Sequence, residues 1–109
     1  MTSDETNSFM RLVKKIKKYP AFKKVRVRFK NLRDVYGRVY ETQSGNYIIE
    51  IKNTCTFQEA IDTLAHELAH IIVDMKGDHG AVFGILCEAM RNVILILTGE
   101  VMLEEKNEN

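Results

Sequence analysis

Residues 56–77, TFQEAIDTLAHELAHIIVDMKG, read as one amphipathic helix with both ends marked. Thr56 and Glu59 form a capping-box pair, in which each side chain accepts a hydrogen bond from the other residue's backbone N–H. Ile61, Leu64, Ala65, Leu68, Ile71 and Ile72 recur at helical spacing and make an apolar stripe. Lys76 and Gly77 give the stop, a cation in the last turn followed by a residue tolerant of positive φ. Such a stripe needs a layer to cover it. The residues before it supply a sheet.

In KKVRVRFK, residues 23–30, Val25, Val27 and Phe29 alternate with Lys24, Arg26, Arg28 and Lys30, the pattern of a half-buried strand with a basic outer face. VYGRVYET, residues 35–42, makes a second strand in which Gly37 marks a bulge or a close approach. Ser44-Gly45-Asn46 is turn chemistry, and NYIIEIK, residues 46–52, returns as a third strand antiparallel to the second. Upstream, residues 5–18 place Phe9, Leu12, Val13 and Ile16 on one helical face, with Lys14, Lys15, Lys17 and Lys18 opposite, until Pro20 stops the helix. Downstream, a helix from about Gly80 to Leu97 would bury Val82, Phe83, Leu86, Met90, Val93, Ile94 and Leu97. Gly99 would end it, leaving EEKNEN, residues 104–109, as a solvated tail. The expected fold is a single α+β domain over residues 1–109: an N-terminal helix, a three-stranded antiparallel sheet, the motif helix and a C-terminal helix.

At 109 residues, with 45% hydrophobic and 28% charged side chains, the chain has the composition of a globular domain with one core. No uninterrupted apolar run approaches the roughly 18 residues of a membrane span, and the N-terminus lacks the apolar block of a secretory signal. The expectation is an intracellular protein with no membrane partner. Cys55 and Cys87 are too few and too far apart for a disulfide framework and read as free, apolar-packed thiols. The formal net charge of +1 hides an asymmetry: residues 1–40 carry twelve Lys/Arg against three acids, and residues 41–109 carry four against twelve. The basic half suggests polyanion contact, with Lys24, Arg26, Arg28 and Lys30 holding DNA phosphates without reading bases; the plainer reading is a solvated surface.

Inside the motif helix stands His66-Glu67-Leu68-Ala69-His70. At 3.6 residues per turn the two imidazoles lie on one face, one turn apart, within reach of a single Zn²⁺. Glu67, about 100° away round the axis, would lean over an open coordination position as general base rather than ligate. The protein has only three histidines. The third, His79, follows the helix-ending glycine and is favoured as third ligand, with Glu88 on the next helix as its rival. Asp74 and Asp78 are candidates to accept hydrogen bonds from the imidazole N–H groups.

The HELAH motif at 66–70 and HGAVF at 79–83 together resemble the SprT-like zinc metalloproteases, the family that includes the Spartan proteases. RVRF, YGRVY and NYIIEI upstream agree, so the similarity covers roughly residues 20–97. It implies a minimal zincin-like fold, Zn²⁺ held by His66, His70 and His79, Glu67 as general base, and protein or peptide substrates, in some relatives proteins crosslinked to DNA. The chain departs from the pattern in its short loop between the second and third histidines and in having no C-terminal zinc ribbon within its 109 residues. Within this reading NYIIEIK would be the sheet edge along which substrate adds as a strand, with Tyr36, Tyr40 or Tyr47 stabilising the oxyanion. Two other readings compete. One is a regulatory protein similar to the ImmA/IrrE family, which cleaves or binds a repressor. The other is a nucleic-acid-binding module with a structural zinc.

Overall fold

The computed structural model describes residues 1–73 and 80–108. It is an α+β fold: α1 (Ser3–Ile16), β1 (Val25–Lys30), β2 (Gly37–Glu41), β3 (Tyr47–Lys52), α2 (Phe57–Ile72) and α3 (Ala81–Asn107), with a 3₁₀ turn at Pro20–Phe22. Both α1 and α2 open on complete capping boxes, Thr2 with Glu5 and Thr56 with Glu59. The first of these places the start of α1 two residues before the sequence reading. The expected stop of α2 at Lys76–Gly77 lies outside the described residues; the helix is capped at Val73.

The sheet is mixed, not antiparallel. Its order is β1-β3-β2, with β3 parallel to β1 and antiparallel to β2. Two features of β3 suit it to the centre. Ile49 and Ile51 are fully buried on its inner face and Ile48 adds an apolar side chain to the outer one, and the central place is the most covered one. Its register also sets Glu50 between Arg28 of β1 and Arg38 of β2. Glu50 is solvent-inaccessible although it points away from the helices. Arg28 Nε donates to Glu50 Oε2 at 2.8 Å, Arg38 Nε donates to Oε1 at 2.6 Å, and Lys30 Nζ stands 3.6 Å away. Burial alone would raise the Glu50 carboxyl, but the hydrogen bonds from Arg38 and Arg28 outweigh it and hold the group below its ordinary value. The strand alternation is otherwise as expected: Val25 and Val27 are buried, and Arg26, Arg28 and Lys30 are exposed. The segment joining β1 to β2 crosses the end of β3 and is pinned there. Leu32 is buried, Asn53 N donates to Lys30 O at 3.0 Å, and Lys52 N donates to Tyr36 O at 2.7 Å. The β2–β3 turn takes Gly45 at φ 81°, which a Cβ would strain.

Helices cover one face of this sheet. Phe9, Leu12, Ile49, Ile51, Ile61, Leu64, Leu68 and Ile94 are at the centre of the core. The C-terminal helix differs from expectation in extent and in face. It runs straight through Gly99 to Asn107. A mid-helix glycine costs about 1 kcal/mol, and the far side of it offers more than that. Val101 is buried, Arg11 pairs with Glu104 and Glu108 at 3.3 and 3.0 Å, Lys15 Nζ donates to Glu104 at 2.5 Å, and Ser8 Oγ donates to Glu105 at 2.8 Å. The predicted tail is thus a docked helix end. Phe83, Met90, Ile94 and Leu97 are buried as expected, Leu86 is half-buried, and Val82 and Val93 face solvent. By length and composition α3 is also apolar enough to cross a membrane, although little of it is buried within the fold.

A candidate metal centre on the motif helix

The i, i+4 spacing brings the imidazoles of His66 and His70 together, their ring centroids 4.9 Å apart and nearly perpendicular. Two imidazoles ligating one tetrahedral zinc at about 2.0–2.1 Å per bond have centroids roughly 5 Å apart. The separation of the two rings is of that size. Phe83, at the start of α3, closes one side: its ring lies 5.1 Å from His66 and 4.6 Å from His70, and only 5% of the residue is exposed. Phe83 is buried, as its helical spacing suggested, and its ring packs against both histidines. Among the described residues no group of three His, Cys, Asp or Glu gathers as a metal site. Glu88, the rival ligand, does not complete one. His79, with Asp74 and Asp78, lies outside the described residues.

Glu67 stands on the same helix, 6% exposed, and burial pushes its carboxyl up to about 7. A dication between the histidines would pull that value down again. The carboxyl lines a cleft of about 430 Å³ together with Tyr36, Gly37, Glu59, Thr63 and His66. The far wall is thus the start of β2. That placement depends on Gly37: a Cβ there would strike Thr63 Cγ2, sit 3.1 Å from the Glu50 carbonyl oxygen and reach 3.7 Å from Glu67 Cγ. Close approach, rather than a bulge, is what the glycine permits.

Of the three candidate tyrosines, only Tyr36 lines the cleft. Coulombic repulsion from Glu59, then a hydrogen bond to it, raises the Tyr36 phenol. Tyr40 instead accepts a hydrogen bond from Arg28 Nη2 at 2.8 Å on the outer sheet face, and Tyr47 packs on the core. The proposed substrate edge also moves. β3 is paired on both sides, so NYIIEIK has no open edge, whereas β2 pairs only with β3 among the described residues. Sequence reasoning missed Cys87. It shares a second cleft with His66, Asp62, Glu88 and Arg91, and burial followed by the nearby Glu67 raises its thiol. Asp62 and Arg91 bridge α2 and α3 at that rim, 3.1 Å apart. Both cysteines are free thiols.

The basic residues do not form one uniform patch. Arg28 and Lys30 are committed to Glu50, and Lys15 to Glu100 and Glu104. Lys24 and Arg26 share a groove of about 330 Å³ with Lys17 and Lys23. Comparison of the chain with protein-family models, with curated proteins and with solved structures finds no match.

Proposed function

We propose that this chain is a zinc-dependent endopeptidase of SprT-like type, acting on extended protein segments. The observation that carries the reading is the His66–His70 pair, ring centroids 4.9 Å apart, with a buried carboxyl beside it on the wall of a cleft that adjoins a strand edge unpaired among the described residues. Bound zinc supplies a Lewis acid and a water acidic enough to act as nucleophile at neutral pH. The chain's own residues then divide the work. His66 and His70, with His79 as the third donor, would hold the ion. Glu67 accepts the proton of the attacking water and returns it to the leaving amine. The open edge of β2 lays a substrate strand along the cleft by backbone hydrogen bonds, which tolerate many sequences. Tyr36, on releasing the Glu59 carboxylate to which it is hydrogen-bonded, offers its hydroxyl to the developing oxyanion.

The purified chain should bind one zinc per molecule. His79→Ala should weaken binding at least roughly tenfold to a hundredfold, on the scale of losing an element that orients or completes a site, and Glu88→Ala should leave it unchanged. Elemental analysis after dialysis against a weak chelator reads both. The reverse pattern would assign the third ligand to Glu88.

A second activity has its own observation, the Lys17, Lys23, Lys24 and Arg26 groove. We propose that it holds DNA backbone weakly and without sequence preference, bringing the peptidase to DNA-bound proteins. Each neutralised phosphate steepens the fall of log K with log salt by about 0.9 on duplex and 0.7 on single strands. Four cations predict a duplex slope of about 3–4. Arg26→Glu should lower that slope, and no detectable binding at low salt would remove DNA from the account.

A further inference from the structure

The exposed side of α3 carries a second apolar stripe that is left uncovered among the described residues. Val82, Ile85, Ile96 and Leu103 are each 62–69% exposed. Ala89, Asn92 and Gly99, also exposed, fill the positions between them. Together they step through 82, 85, 89, 92, 96, 99 and 103, alternating by three and four. That is the a/d spacing of a helix-pairing seam, here sustained for three heptads over about 32 Å. It is distinct from the stripe of Met90, Ile94, Leu97 and Val101 that faces the core. With Leu95 and Met102 on its margin, 44% and 47% exposed, six large apolar side chains stand open along one side of a single helix, a grouping that marks an interaction surface where scattered single residues would not.

We infer that this face pairs with the same face of a second copy of the chain, forming a two-fold helical dimer. A heptad seam is complementary to another helix of its own kind, and a two-fold axis lets one patch serve both partners and closes the assembly. A lipid surface fits the seam less well. Helices that lie on membranes carry Lys and Arg on their polar side, whereas α3 has only Arg91 and Lys106 among its described residues, and its Glu100, Glu104, Glu105 and Glu108 are taken up by Arg11, Lys15 and Ser8 of α1. Asn92 sits at the middle of the seam, where a polar side chain specifies register at a cost in stability.

Sedimentation velocity on the whole chain from about 1 to 100 μM, a range that brackets ordinary dimer affinities, tests this. The wild type should sediment at twice the chain mass. Ile85→Glu and Ile96→Glu should each raise the dimer dissociation constant on the order of 100-fold or more, with unchanged circular dichroism and zinc content. Both positions are exposed in the fold, so loss of the dimer would not reflect unfolding. Asn92→Leu should preserve association but give mixed oligomer sizes. A wild-type chain that stays monomeric throughout overturns the inference. Flotation of that monomer with neutral or anionic phospholipid vesicles would assign the face to lipid instead. A dimer indifferent to both glutamate substitutions would equally overturn it by placing the interface elsewhere.

Discussion

Glu67→Gln is expected to lower the hydrolysis of an unfolded protein by about 10²–10⁴-fold, the contribution of a positioned proton acceptor, while zinc content and thermal midpoint stay where they are. The substitution nearly preserves shape and removes only the group that accepts a proton. Stability should not suffer, because Glu67 is a buried acid whose carboxyl burial has already raised to about 7. A neutral amide avoids the cost of keeping a charge there. The paired readout separates chemistry from folding: loss of turnover with loss of zinc would indicate a damaged site, and loss of turnover alone a missing base. Unchanged turnover would remove Glu67 from the mechanism.

Gly37→Ala is the second large effect, and it acts through packing. The new Cβ meets Thr63 Cγ2 on one side and the Glu50 carbonyl oxygen at 3.1 Å on another. Thr63 cannot easily rotate away, since its hydroxyl donates to the Glu59 carbonyl oxygen at 2.7 Å. The remaining response is for β2 to lift from α2, at the overpacking cost of about 1–3 kcal/mol. For a domain of this size each kcal/mol lowers the melting temperature by about 4–8 °C. Lifting the strand also widens the cleft wall opposite Glu67, so activity should fall more than stability accounts for. Thr63→Ser removes Cγ2 and keeps the hydroxyl. The double variant should therefore recover most of the lost stability, as contacting residues do when they couple. Equal stability of Gly37→Ala and wild type would show that strand and helix are not packed as described.

What was legible in the sequence was local. The capping box at Thr56, the alternation of residues 25–30 and the four-residue spacing of the histidines each encode geometry within one element, and each appears in the structure. The sheet order was not local. Nothing in the periodicity of β1, β2 and β3 says which strand takes two neighbours, although Glu50, the one acid facing outward among Arg26, Arg28, Lys30 and Arg38, carried a hint. It needs cations on both sides and finds them only at the centre. Gly99 misled because its helix-breaking cost is small beside the burial of Val101 and the pairing of Glu104, Glu105 and Glu108 with α1. The buried face of α3 was ambiguous for another reason: apolar residues surround most of the helix, so a 3.6-residue period cannot select a side. At the candidate site, His66, Glu67 and His70 were readable from spacing. Tyr36 was readable only as one of three tyrosines and Cys87 not at all, because separate elements deliver them by tertiary packing. Gly37 was half-readable, as a close approach with no partner named.

The central proposal, peptide-bond cleavage at a zinc ion held by the motif helix, is tested most directly by metal titration. Chelator-stripped protein is given increasing Zn²⁺, and cleavage of an unfolded protein is followed beside the bound-metal stoichiometry. Cleavage should rise in proportion to bound zinc, stop rising at one ion per chain, and be absent at every zinc level in Glu67→Gln. A chain that fills with one zinc and cleaves nothing, or that cleaves equally well when stripped, would contradict the account.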